Sequence, residues 1–154
     1  MRASRFASGA FLAALVAALD SARAGAAPAC PPTAEDVLGP FYRPDAPVRT
    51  SVGKGHVLRG TVRSSADCSP IPGARVELWL AGRNGYDDAH RATVIADAEG
   101  RYRFESEPPG EVERRPPHIH VRVAHPGHRT LVTQEYPAQG KAEETFDLVL
   151  SPAR

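Results

Sequence analysis

Cysteine is scarce in this sequence. Its two cysteines, Cys30 and Cys68, stand apart from any zinc-like spacing of Cys and His, so a structural zinc module is excluded. A charge of one sign is missing as well: 19 basic side chains meet 18 acidic ones, which gives nucleic acid or an anionic membrane nothing to hold. No apolar run approaches the roughly 20 residues that a membrane helix needs. Beyond residue 27 no segment repeats apolar residues at helical spacing, and no internal repeat is present. What the chain does have is 15 prolines and 13 glycines, all the prolines and most of the glycines lying beyond residue 27 at short intervals. Such punctuation fits short strands joined by turns.

The start of the chain has its own logic. Arg2 and Arg5 precede the apolar run Phe11–Leu19, and small residues follow at Ala22-Arg23-Ala24 and Ala24-Gly25-Ala26. That order of charge, apolar run and small residues predicts a signal peptide over residues 1–26 and export to the periplasm or outside the cell. Cleavage there removes three arginines and one aspartate, leaving 16 basic and 17 acidic residues, a net charge of −1. In an oxidising compartment Cys30 and Cys68 are expected to pair. The bridge would tie an irregular arm, residues 27–55, to the first hairpin of a single domain over 56–154, and chain entropy assigns such a loop roughly 3–4 kcal/mol.

Strands are expected at Val57–Val62 and at Ala74–Leu80, with Ser69-Pro70-Ile71-Pro72-Gly73 as the turn between them. Alternation places Val76, Leu78 and Leu80 on one face. Asp97-Ala98-Glu99-Gly100 reads as the turn of a hairpin joining Ala92–Ala96 to Arg101–Phe104. Ile119, Val121 and Val123 should be buried on one side of the next strand while His118, His120 and Arg122 point to the other. Further strands are expected near His128–Thr133 and Thr145–Leu150. This pattern predicts an all-β fold, a single β-sandwich of about seven to nine short strands. His56, His90, His125 and His128 read as solvated residues, the last two flanking the turn Pro126-Gly127.

The most informative segment is Arg115-Pro116-Pro117-His118-Ile119-His120. Two histidines separated by one residue on a strand project their imidazoles from the same face, close enough to share one ion, and the double proline fixes how the strand begins. Together with other segments in order along the chain it resembles the intradiol ring-cleavage dioxygenase family. Those segments are Asp36–Tyr42, Leu58–Val62, Pro70–Trp79, Asn84-Gly85-Tyr86-Asp87, Gly100–Phe104 and Leu131-Val132-Thr133-Gln134.

The resemblance implies a mononuclear non-haem ferric ion, Fe(3+), held by Tyr86, His118 and His120. It also implies a small aromatic diol and O₂ as partners, and insertion of O₂ into the ring between the hydroxylated carbons. Arg115 resembles the arginine beside the substrate ring, where a planar cation can stack on an aromatic and offset developing negative charge. Gln134 resembles the glutamine on the oxygen-binding side. The family's second tyrosine ligand has no counterpart, since Val112 stands at its place in Pro109-Gly110-Glu111-Val112-Glu113-Arg114. Water or hydroxide, Glu111 or Glu113 are alternative replacements. The competing readings are a non-catalytic exported binding module with a degenerate site, and a copper or zinc protein using the same histidines.

Overall fold

The structure, a computed structural model, describes residues 30–112 and 114–154. The expected signal peptide lies outside the described residues, as does Glu113. Eight strands among these residues form two sheets. In chain order they are β1 His56–Ser64, β2 Arg75–Leu80, β3 Arg91–Ile95, β4 Arg101–Ser106, β5 Ile119–Ala124, β6 Leu131–Glu135, β7 Glu143–Thr145 and β8 Leu148–Leu150. Among the described residues the only helical element is a 3₁₀ turn, Asp88–His90. The first sheet carries β1 at its centre, antiparallel to β4 and parallel to β7 and β8. The second is antiparallel throughout, in the order β3-β2-β5-β6.

The core lies between the sheets. Leu58, Val62 and Phe104 from the first meet Val76, Leu78, Ile119, Val121 and Val123 from the second, all of them fully buried. These residues alternate along their strands, so two apolar faces close on each other as in any sandwich.

Two expected hairpins do not form. β2 follows β1 through the Pro-Gly turn but pairs with β3 and β5, and β4 follows β3 through Asp97–Gly100 but pairs with β1. Each connection carries the chain from one sheet to the other. Turn chemistry sets where the chain reverses, whereas the partner is chosen by which apolar face must be covered. The last expected strand is divided, because the Phe146 carbonyl turns aside to accept a hydrogen bond from Tyr102 Oη at 2.6 Å. It also presses on Gly60, where a Cβ would collide with it. His56 is buried rather than solvated, facing the core at the start of β1. His125 and His128 are half-buried with their rings edge to face, because the turn folds back to bridge Pro152.

Residues 30–55 contain no strand, yet their path decides where a site can form. A disulfide between Cys30 and Cys68 fixes the beginning of this arm. Asp36 N–H donates to the Val132 carbonyl on β6, and further on Arg49 N–H donates to the Thr93 carbonyl on β3. Between those anchors the arm crosses the outer face of the second sheet. Tyr42 reaches Glu77 and Trp79 of β2 on that face, and Gly39 lies on His120 of β5. The outer face is therefore covered, which is why Glu77, Trp79, His120 and Gln134 are all buried although they point away from the core.

Candidate metal centre

Strand register builds the floor of the site. Trp79 pairs with His120, and His120 with Gln134, so one row of side chains crosses β2, β5 and β6 on the arm side. The His120 ring stacks parallel on Trp79 with centroids 4.9 Å apart. His118, just ahead of β5, shares that face. Its Nδ1–H donates to the Pro116 carbonyl at 2.8 Å, which leaves Nε2 with a lone pair pointing into the site. The double proline thus supplies the acceptor that fixes this tautomer.

Tyr86 arrives from the other side. Gly82 and Gly85 exchange both backbone hydrogen bonds, at 3.0 and 3.1 Å, closing a tight turn whose last residue has φ +90°, a conformation that favours glycine. Just beyond Tyr86, Asp87 accepts from the backbone of Ala89 and His90 and from the His90 ring, capping the 3₁₀ turn. Tyr86 is held between two fixed turns, with its ring stacked on Phe41 of the arm at 4.4 Å.

The three groups converge. Tyr86 Oη lies 3.0 Å from Nε2 of His118 and 3.0 Å from Nε2 of His120, and the two nitrogens lie 3.2 Å apart. Metal–nitrogen and metal–oxygen bonds of about 2.0–2.1 Å at ordinary coordination angles separate neighbouring donor atoms by roughly 2.9–3.4 Å. The triangle has the dimensions of one face of a coordination polyhedron. An anionic oxygen beside two neutral imidazoles suits a hard, highly charged ion such as ferric iron. Without a cation, burial holds the Tyr86 phenol above its usual pKa, against the lowering effect of Arg115. Burial, then the neighbouring His118 and Arg115, depresses His120 to about 4, so its imidazole is neutral at neutral pH, as a ligand must be.

A cavity of about 130 Å³ opens beside these donors, lined by Pro40, Phe41, Tyr86, Val112, Arg115, His118 and His120. The loop ahead of β5 is drawn in by Gly110 N–H, which donates to the Ala81 carbonyl, and by a turn in which Arg115 N–H donates to the Val112 carbonyl. Arg115 Nη2 then donates to Gln134 Oε1 at 2.6 Å, so both residues singled out beside the histidines meet each other at the edge of the site. Val112 presents an apolar wall, whereas Glu111 is exposed and does not line the cavity.

No protein-family model matches the chain. Among curated proteins it is 31% identical to a catechol 1,2-dioxygenase of Candida albicans, over 70% of this chain and 48% of that protein. It is 32% identical to a hydroxyquinol 1,2-dioxygenase of Rhodococcus opacus, over 76% of this chain and 50% of that protein. Among solved structures it superposes on the dioxygenase domain of a dioxygenase–carbohydrate-binding fusion from Streptomyces sp. SirexAA-E with a TM-score of 0.69 and 28% identity, covering 80% of this chain and 100% of that one. The chain belongs to the intradiol dioxygenase family. It spans about half the length of the curated intradiol dioxygenases it matches.

Read as an intradiol dioxygenase, the chain shows one contributor that the motifs did not single out. Tyr136 Oη accepts from Arg115 Nη2 at 2.9 Å and lies 3.0 Å from Gln134 Oε1 and 3.1 Å from Asp36 Oδ2. Its ring lies 5.8 Å from that of His118. Alternation held the signal: a residue two beyond Gln134 returns to the same side of an extended chain.

Proposed function

We propose that the chain is an exported intradiol dioxygenase that inserts O₂ into a catechol-type ring at a mononuclear ferric ion held by Tyr86, His118 and His120. The observation that carries this reading is the convergence of one phenol oxygen and two imidazole nitrogens within 3.0–3.2 Å of one another beside a cavity. A ferric ion, when bound, supplies Lewis acidity and the capacity to take electron density from a chelated catecholate.

The remaining work belongs to the protein. Stacking on Trp79 and the bond to the Pro116 carbonyl hold the two imidazoles in one orientation, so little freedom is lost on loading. Phe41 and Pro40 form the arm-side wall of the cavity and give the substrate ring an apolar surface to lie against. Arg115 places a fixed positive charge at the cavity wall, where it offsets negative charge that develops on the substrate ring. Gln134, bonded to the Val37 carbonyl as well as to Arg115, holds that guanidinium against the floor of the site. Val112 cannot take a proton, so deprotonation of the substrate hydroxyls on that side falls to solvent. The Cys30–Cys68 disulfide supports export, because such bridges persist in oxidising compartments.

The test is to purify the chain, measure its iron content and record a visible spectrum. One iron per chain, a broad phenolate-to-iron band and consumption of one O₂ per catechol cleaved are expected. Stoichiometric copper or zinc without that band would establish the rival metal, and a metal-free protein that ignores catechols would establish a binding module.

A further inference from the structure

Within the dioxygenase reading, we propose that the site takes neutral catechols bearing an apolar ring substituent and discriminates against catechols bearing a carboxylate. Among the described residues six large apolar side chains are exposed, and four of them, Val37, Leu38, Phe41 and Tyr136, stand on the arm segment that crosses the site or just beyond β6. Phe41 lines the cavity itself, and exposed apolar side chains gathered next to a cavity are the mark of a surface kept for a ligand.

The walls point the same way. Among the described residues Arg115 is the one side chain of fixed charge lining the cavity, and its Nη2 is already engaged by Gln134 and Tyr136. Val112 adds a branched apolar surface where the family pattern has a hydroxyl. A second cavity, of about 300 Å³, adjoins the first and shares its Pro40, Phe41 and Tyr86 wall. Its two arginines already have a carboxylate partner: Arg43 and Arg91 both pair with Asp88, at 3.0 and 2.6 Å. Asp87, also in its lining, contributes negative charge of its own. A substituent leaving the first cavity across Phe41 therefore meets apolar surface and balanced charge. An alkyl or aryl group gains by burial there, whereas a carboxylate gives up hydration without gaining a partner.

The experiment is a binding titration of the iron-loaded full chain, under nitrogen, by calorimetry and visible spectrum, with catechol, 4-propylcatechol and 3,4-dihydroxybenzoate. Because each buried methylene is worth about fourfold in affinity, and that surface is only partly covered, 4-propylcatechol should bind about tenfold more tightly than catechol. The dihydroxybenzoate should bind more weakly than either. Phe41→Ala and, separately, Leu38→Ser should shrink the ratio of propylcatechol to catechol affinity. Equal affinities for all three, or tightest binding of the dihydroxybenzoate through Arg115, would overturn the proposal. If the three bind in the expected order but none is consumed when O₂ is admitted, the activity falls and the specificity stands; if none binds, both fall.

Discussion

The Tyr136 hydroxyl and the Arg115 guanidinium are hydrogen-bonded at 2.9 Å, with Asp36 Oδ2 on the far side of the hydroxyl at 3.1 Å. The arm thereby reaches through Tyr136 to the guanidinium at the cavity wall. Removing the hydroxyl in Tyr136→Phe keeps the ring against His118 but frees the guanidinium on one side. A hydrogen bond to a charged group contributes roughly 1.5–3 kcal/mol, and because Tyr136 is exposed the lower end applies, so kcat is expected to fall about tenfold. Metal content should be unchanged and KM should stay within about twofold, a split that steady-state kinetics and metal analysis measure together. Wild-type kcat in this variant would show that Arg115 is held without Tyr136.

The donor triangle predicts a different pattern of loss for each of its members. Tyr86→Phe keeps both imidazoles and should still take up iron, more weakly, with the visible charge-transfer band abolished. His118→Ala and His120→Ala each remove a nitrogen that no neighbour replaces. Metal affinity should fall by more than the roughly 10- to 100-fold typical of losing an outer partner. Competition with a chelator, read by metal analysis, separates these outcomes. A band that persists in Tyr86→Phe would locate the phenolate elsewhere, with Tyr136 the nearest other tyrosine to the histidines.

Much of this architecture was legible because local signals and the final structure obey the same periodicities. Alternation in β5 put Ile119, Val121 and Val123 in the core and the histidines on the opposite face, and the Pro-Gly turns were where the chain reversed. Pairing was not legible. The stretch Asp97–Gly100 looks the same whether the strands on either side bond to each other or pass to separate sheets, since that choice depends on β1, some 40 residues away in sequence. The burial of His120 was hidden for a related reason. An irregular arm has no periodicity to read, yet it is what covers the outer face of the second sheet.

That arm is tied at its start by Cys30–Cys68, and it carries Pro40 and Phe41 to the cavity wall. Replacing both cysteines by serine should destabilise the chain by about 2–4 kcal/mol, and reduction of the wild type should reproduce the loss. Because the arm forms the mouth of the site, KM for a catechol should rise more than kcat falls. Denaturant midpoints with and without reductant, paired with kinetics, test both halves. Equal midpoints would mean that the arm is held without the disulfide, by its hydrogen bonds to the sheets.

Glu135, the last residue of β6, offers a test of the interior that does not touch the donors. Burial first, and the neighbouring Glu144 second, raise its carboxyl from an ordinary value of 4.5 to about 7. One of its oxygens, Oε2, is buried without a hydrogen-bond partner. Between these two values the unfolded chain has already released the proton that the folded protein retains. The folded state is therefore penalised progressively as pH rises from about 4.5 to about 7, and the penalty is complete above that window. Glu135→Gln cannot ionise and keeps a similar shape. It should melt at a higher temperature than wild type at pH 8 and show no such advantage at pH 4.5. Thermal melts of the two proteins across that range decide the matter, and an advantage independent of pH would mean that the Glu135 carboxyl does not titrate in this window.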